Sequence, residues 1–164
     1  MARSKVIDRD RGFREFIRRT REKQRRAVGV KVGIQGPAAQ DTGTLRKGEM
    51  TNVILGTIHE FGAPSVNIPS RSFIRSTVDK NRAKYQRELK RIEERSIKTK
   101  SAPRFDVLGE KVLADMQDRI DSNIPPPLQD STIAARTGGK DDLALVDTGE
   151  LRGSLSWAPA RGDR

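Results

Sequence analysis

The segment between Pro69 and Pro103 constrains this chain most. Ile74, Val78, Asn81, Tyr85, Leu89 and Ile92 recur there at spacings of three and four, the period of one helical face. The pattern predicts a helix from an N-cap at Ser70 to about Thr99, roughly 40 Å long at 1.5 Å per residue. Ser101-Ala102-Pro103 breaks it. A further helix is expected after a cap at Asp106, with Leu108, Val112, Leu113, Met116 and Ile120 inward. Pro125-Pro126-Pro127 supplies no backbone donors and ends it.

The flanking segments are shorter. Residues 8–27 read as an amphipathic helix, with Phe13, Phe16, Ile17, Thr20, Gln24 and Ala27 along one stripe. Arg14, Arg18, Arg21 and Arg25 recur on its other faces. From Val28 to Ile34 the chain alternates, so Val28, Val30, Val32 and Ile34 point to one side of a strand. The other side carries two glycines and a lysine, which permits close approach of another element. Residues 36–48 are a loop by composition. Val53, Ile54, Leu55, Ile58 and Phe61 read as a helix of about three turns stopped by Gly62, with a strand as the alternative. Residues 128–142 are polar and expected to be mobile. Leu143 to Val146 and Ser154 to Trp157 read as short strands, and Ala158 onward as a tail.

This order predicts an α+β fold, a small antiparallel sheet packed with an N-terminal helix and two long helices, rather than a βαβ alternation. Three parts are expected: a basic helix over 1–27, an α+β domain over 28–157 and a tail over 158–164. At 164 residues, one domain is the default. Hydrophobic and charged residues each make up 34%, a lean core that suits a subunit completing its burial against neighbours. The net charge of +11 is uneven. Residues 1–31 hold 12 Lys/Arg against 4 Asp/Glu, whereas residues 101–164 hold 8 against 11. Such asymmetry favours an anionic partner or head-to-tail contact between unlike faces of identical subunits. No apolar run reaches the roughly 20 residues that a bilayer demands, and the N-terminus leads into charge rather than an apolar signal core. A soluble, cytosol-made protein is expected, with no membrane partner.

Most of the tempting chemistry fails on context. Asp-Thr-Gly occurs at Asp41-Thr42-Gly43 and at Asp147-Thr148-Gly149, and an aspartic protease needs two such carboxylates sharing a proton. No strand precedes the first copy, and too few residues follow the second to wall a cleft. Both copies run on into Leu-Arg, so a turn is the simpler reading: Asp bonds its own backbone and Gly takes positive φ. His59 is the one histidine. A zinc protease would need a second four residues on, where Ala63 stands. With no Cys, no thiolate metal site exists. Glu110, Asp115, Asp118 and Asp121 read as a solvated helix face. Thr137-Gly138-Gly139-Lys140 has no helix behind it to make a phosphate cradle. No catalytic residue, cofactor, metal or small-molecule substrate is expected. Nucleic acid is the serious rival, since the arginines from Arg9 to Arg26 suit a phosphate backbone. Aromatics make up only 4%, so binding would be electrostatic and independent of sequence. A basic DNA-binding accessory protein acting in packaging or DNA retention is therefore the alternative function.

Two stretches resemble a known family. They are Ile58-His59-Glu60-Phe61-Gly62 with Ile68-Pro69-Ser70-Arg71-Ser72-Phe73-Ile74-Arg75, and Val146-Asp147-Thr148-Gly149-Glu150-Leu151-Arg152-Gly153-Ser154-Leu155. Both resemble segments of the tailed-phage neck and tail-completion proteins, also called virion morphogenesis or head–tail joining proteins. The resemblance runs from about Val28 to Trp157. It implies a non-catalytic virion subunit that forms a homo-oligomeric ring at the head–tail junction. Its partners would be a portal or head-completion adaptor and a tail terminator or tail tube, with synthesis in the bacterial cytoplasm. His59, Glu60, Phe61, Gly62, Pro69, Arg71, Phe73, Arg75, Asp147, Thr148, Gly149, Leu151 and Arg152 are the motif positions expected to serve assembly. Arg14, Arg18, Arg21 and Arg25 are the expected contacts to an anionic partner, an acidic neighbour or DNA held non-specifically.

Overall fold

A computed structural model describes residues 14–15, 18, 27–41, 50–135, 143–146 and 148–161. Their elements are strand β1 (Ala27–Ile34), helix α1 (Pro37–Gln40), helix α2 (Asn52–Phe61), a 3₁₀ turn (Pro64–Val66), helix α3 (Ile74–Thr99), helix α4 (Asp106–Asp121), helix α5 (Asp130–Ala135), helix α6 (Glu150–Gly153) and strand β2 (Leu155–Arg161). The fold is α+β. Among the described residues the sheet has two strands, antiparallel, and they come from near the two ends of the chain.

The register places Ile34 opposite Leu155, Val32 opposite Trp157 and Val30 opposite Pro159. Direct cross-strand partners share a face, and this face meets α4. The join is close at Gly109, where an added Cβ would lie 2.5 Å from Trp157 Cδ2. Only a glycine lets the indole lie this near the helix backbone. The ladder is irregular between Ala27 and Gly29, and Val28 is exposed there rather than inward as the alternation predicts. A bulge of this kind re-aims the residue it releases.

The two long helices appear where the spacing predicts them. At 26 residues α3 is about 39 Å long. It buries Thr77, Tyr85 and Ser96 and half-buries Ile74, Asn81, Leu89 and Ile92, while Val78 turns outward. Lys100, left-handed at φ 52°, closes it before Pro103. Helix α4 buries Leu108, Val112, Met116 and Ile120 as expected, with Gly109 beside them and Leu113 half-buried. Phe73, Tyr85, Phe105, Ile124, Leu145, Leu151 and Leu155 join them in one core.

Several expected boundaries shift. Neither Ser70 nor Asp106 is an N-cap: the cap positions are Phe73 and Phe105, neither with a capping side-chain bond. Residues 37–40 of the expected loop form α1, with Pro37 in its first turn, where a missing N–H costs nothing. Residues 130–135 of the polar stretch form α5. Leu143 to Val146 is a turn rather than a strand: Val146 N donates to Leu143 O at 3.2 Å, and Ala144 and Leu145 are buried. Ala158 to Arg161 continues β2 rather than starting a tail. Of the expected N-terminal helix, Arg14, Glu15 and Arg18 are described and helical; its other residues before Ala27 lie outside the described set.

Candidate functional site

Helix α2 begins at Thr51, whose Oγ1 accepts from Ile54 N at 3.4 Å. It ends at Gly62, whose N–H donates to Ile58 O at 2.7 Å. Gly62 sits at φ 77°, and an added Cβ would lie 2.8 Å from Ser70 N and 3.0 Å from Ile68 O. Both neighbours are backbone, so glycine is required twice over. The tight turn returns the chain antiparallel, with Ala63 bridged to Ile68. Arg71 N then donates to His59 O at 2.7 Å and Ser70 Oγ to Glu60 O at 3.0 Å.

This return brings the start of α3 against Glu60. Glu60 is 6% exposed, and its carboxylate accepts four hydrogen bonds. Oε1 accepts from Ser72 Oγ at 2.6 Å and Arg75 N at 3.0 Å; Oε2 accepts from Phe73 N and Ile74 N, each at 2.9 Å. The first N–H groups of a helix have no internal partner and carry partial positive charge. Glu60 supplies both acceptor and counter-charge from another helix. Burial pushes its pKa up, but the bonds from Ser72, Ile74, Arg75 and Phe73 outweigh burial and hold it below the ordinary value. A carboxylate with four donors already in place is an anchor, not a base.

Arg71 is buried beside it. Its Nε and Nη2 donate to Pro126 O at 3.0 and 2.8 Å, and Nη2 also reaches Pro127 O at 3.3 Å. Helix α4 ends at Asp121, capped by Ser122, before the three prolines expected to stop it; the carbonyls of Pro126 and Pro127 instead serve as acceptors that fasten the segment after α4 to the loop. Phe73 is fully buried, Pro69 and Arg75 are exposed, and His59 is half-buried.

The second motif meets the first across α2. Gly56 is buried, and an added Cβ there would strike Ile34 Cδ1 and lie 3.6 Å from Leu151 Cδ1. Leu151 is buried in the core with Phe73. Gly149 takes φ 79° and Thr148 Oγ1 accepts from Glu150 N at 3.4 Å, so the described part of this Asp-Thr-Gly is a turn. Arg152 Nε donates to both Asp121 oxygens, at 3.1 and 3.0 Å. Asp147, Arg21 and Arg25 lie outside the described residues. Arg14 and Arg18 are exposed, with Arg18 3.7 Å from Glu15. Asp115, expected on a solvated face, is half-buried and accepts from Lys84 and Tyr85.

The sequence reading missed the orientation of α2. Its buried positions are Asn52, Gly56 and Glu60, at intervals of four. Its exposed positions include Val53, Ile54 at 45% and Phe61 at 68%. Just before it Met50, and just after it Val66 at 63%, are also exposed. Asn52 and Glu60 thus face inward beside Leu55, which packs on the core, while Val53, Ile54 and Phe61 face outward, where a surface helix on a free monomer carries polar residues. The legible signal was charge: from Met50 to Val66 the one acidic or basic side chain besides His59 is Glu60, which is buried. Among the described residues, no group of three or more His, Cys, Asp or Glu could hold a metal ion, and no helix is long and apolar enough to cross a membrane. No family model, curated protein or solved structure matches the chain.

Proposed function

We propose that this protein is a structural, non-catalytic virion subunit of a tailed bacteriophage, part of the neck or tail-completion ring that joins head to tail. The observation that carries it is the outward apolar face of α2 and its loop: Val53, Ile54, Phe61 and Val66, exposed and free of charge. Contiguous apolar surface of this kind marks a protein contact. The resemblance at His59 to Arg75 and Thr148 to Leu155 adds to this, because those residues build the joint that presents the face. The ring contact is head-to-tail, so two unlike surfaces of each copy are used.

Electron microscopy and light scattering of the purified protein, alone and mixed with head or tail particles, test the proposal. The expected result is a discrete ring, or a monomer that assembles on those particles. Phe61→Asp with Ile54→Asp should leave a folded protein that no longer assembles. A protein that stays monomeric under both conditions and is missing from virions would overturn it.

A further inference from the structure

Helix α3 carries a feature that assembly through α2 does not use. At 3.6 residues per turn, Lys80, Lys84, Arg87, Arg91, Arg95 and Lys98 fall within a strip about 80° wide that runs about 27 Å along the helix. Lys84, one turn from the N-terminal end of the strip, is held by Asp115 at 2.7 Å, and Arg91 lies 3.7 Å from Glu88. Lys80, Arg87, Arg95 and Lys98 are exposed and reach no carboxylate among the described residues. The other cations of α3 are Arg75, Arg82 and Lys90. They lie off the strip, and the last two are matched by Asp79 at 3.5 Å and Glu94 at 4.0 Å.

We infer that this strip binds the phosphate backbone of a nucleic-acid duplex. A duplex presents one negative charge per about 1.7 Å of its axis, a line of charge that a straight row of cations matches over its whole length. The apolar content of the surface decides against an acidic protein partner. A protein interface centres on buried apolar residues, whereas Val78 and Ile97, the exposed large hydrophobics of α3, lie outside the strip. Single-strand binding would need exposed rings for stacking. The one aromatic within α3, Tyr85, is buried and donates its hydroxyl to Asp115 at 2.8 Å. The strip is built from residues of α3 alone and does not depend on the assembly proposal.

The test is fluorescence anisotropy of the full chain with short random-sequence DNA and RNA duplexes across a salt series. Replacing Lys80, Arg87, Arg95 and Lys98 by Gln should reduce the magnitude of the log–log salt slope by about 3.6, since each phosphate left without its cation removes about 0.9. A charge-matched control with Gln at Lys31, Arg82, Lys90 and Lys100 should keep most of the wild-type slope. Gln is a good helix former, and circular dichroism checks that both variants fold. Binding to either duplex with this difference supports the site, and the tighter of the two names its ligand. Equal slopes for the two variants would show a response to net charge alone and overturn it. So would unchanged duplex binding in the strip variant, including the case where the variant instead fails to join a protein partner.

Discussion

Glu60 does for α3 what a Ser or Asp at the N-cap ordinarily does. It acts from 13 to 15 residues away along the chain, through Phe73 N, Ile74 N and Arg75 N. Its lowered pKa fixes the sign of the pH effect. A carboxylate depressed in the folded state stabilises fully above its unfolded value, about 4.3, and that contribution is lost as pH falls through the folded value. Glu60→Gln imitates the protonated state and turns an amide N–H toward backbone donors. It should cost roughly 2–3 kcal/mol near neutral pH, and the gap from wild type should close as pH drops below about 4. Urea denaturation midpoints at several pH values measure this, and a gap independent of pH would refute the anchoring role. Arg71→Lys keeps the charge but loses the fork that spans Pro126 O and Pro127 O. It should cost about 1 kcal/mol, read as a lower urea midpoint with an unchanged slope.

Among the elements, α3 and α4 were legible because their apolar period persists over many turns, and β1 because it alternates. The helical reading of Val53 to Phe61 also holds, yet only part of its apolar set turns inward: Leu55 packs on the core, whereas Val53, Ile54 and Phe61 are exposed. Periodicity locates an apolar stripe but does not say whether the stripe faces the core or a partner. Leu143 to Val146 shows the same limit, since a short apolar run reads alike as a strand or a buried turn. The anchor at Glu60 was illegible for another reason: caps are read from neighbouring residues, and this one arrives from a different helix. Gly109 gives no signal of its own within the helical pattern, although it sets how closely α4 meets the sheet. Gly109→Ala gains about 1 kcal/mol of helix propensity, but its Cβ would sit 2.5 Å from Trp157 Cδ2. Overpacking of this kind costs roughly 1–3 kcal/mol, so net destabilisation is expected. Trp157→Leu should relieve part of it in a double-mutant cycle, and additive effects of the two substitutions would separate the residues.

For the molecule as a whole, the decisive contact is the one between its distant ends. Residues 155–161 close the sheet that α4 covers, and without them Val30, Val32 and Ile34 would have no partner strand. The sequence suggested a tail from Ala158 because Ala158, Pro159 and Ala160 carry little strand signal. Their conformation comes from pairing with Lys31, Val30 and Gly29, a tertiary cause that local propensity does not contain. Ending the chain after Trp157 therefore separates the two readings. A tail would be lost without consequence. A paired strand would take with it the ladder from Ala27 to Lys31 and uncover the unpaired side of β1. Several ladder bonds at 0.5–1.5 kcal/mol each amount to roughly 2–4 kcal/mol, or a fall in Tm of about 10 °C for a chain of this size. The newly exposed strand edge should also promote aggregation on heating. Thermal unfolding followed by circular dichroism and by turbidity measures both, and an unchanged Tm would return residues 158–164 to the status of a tail.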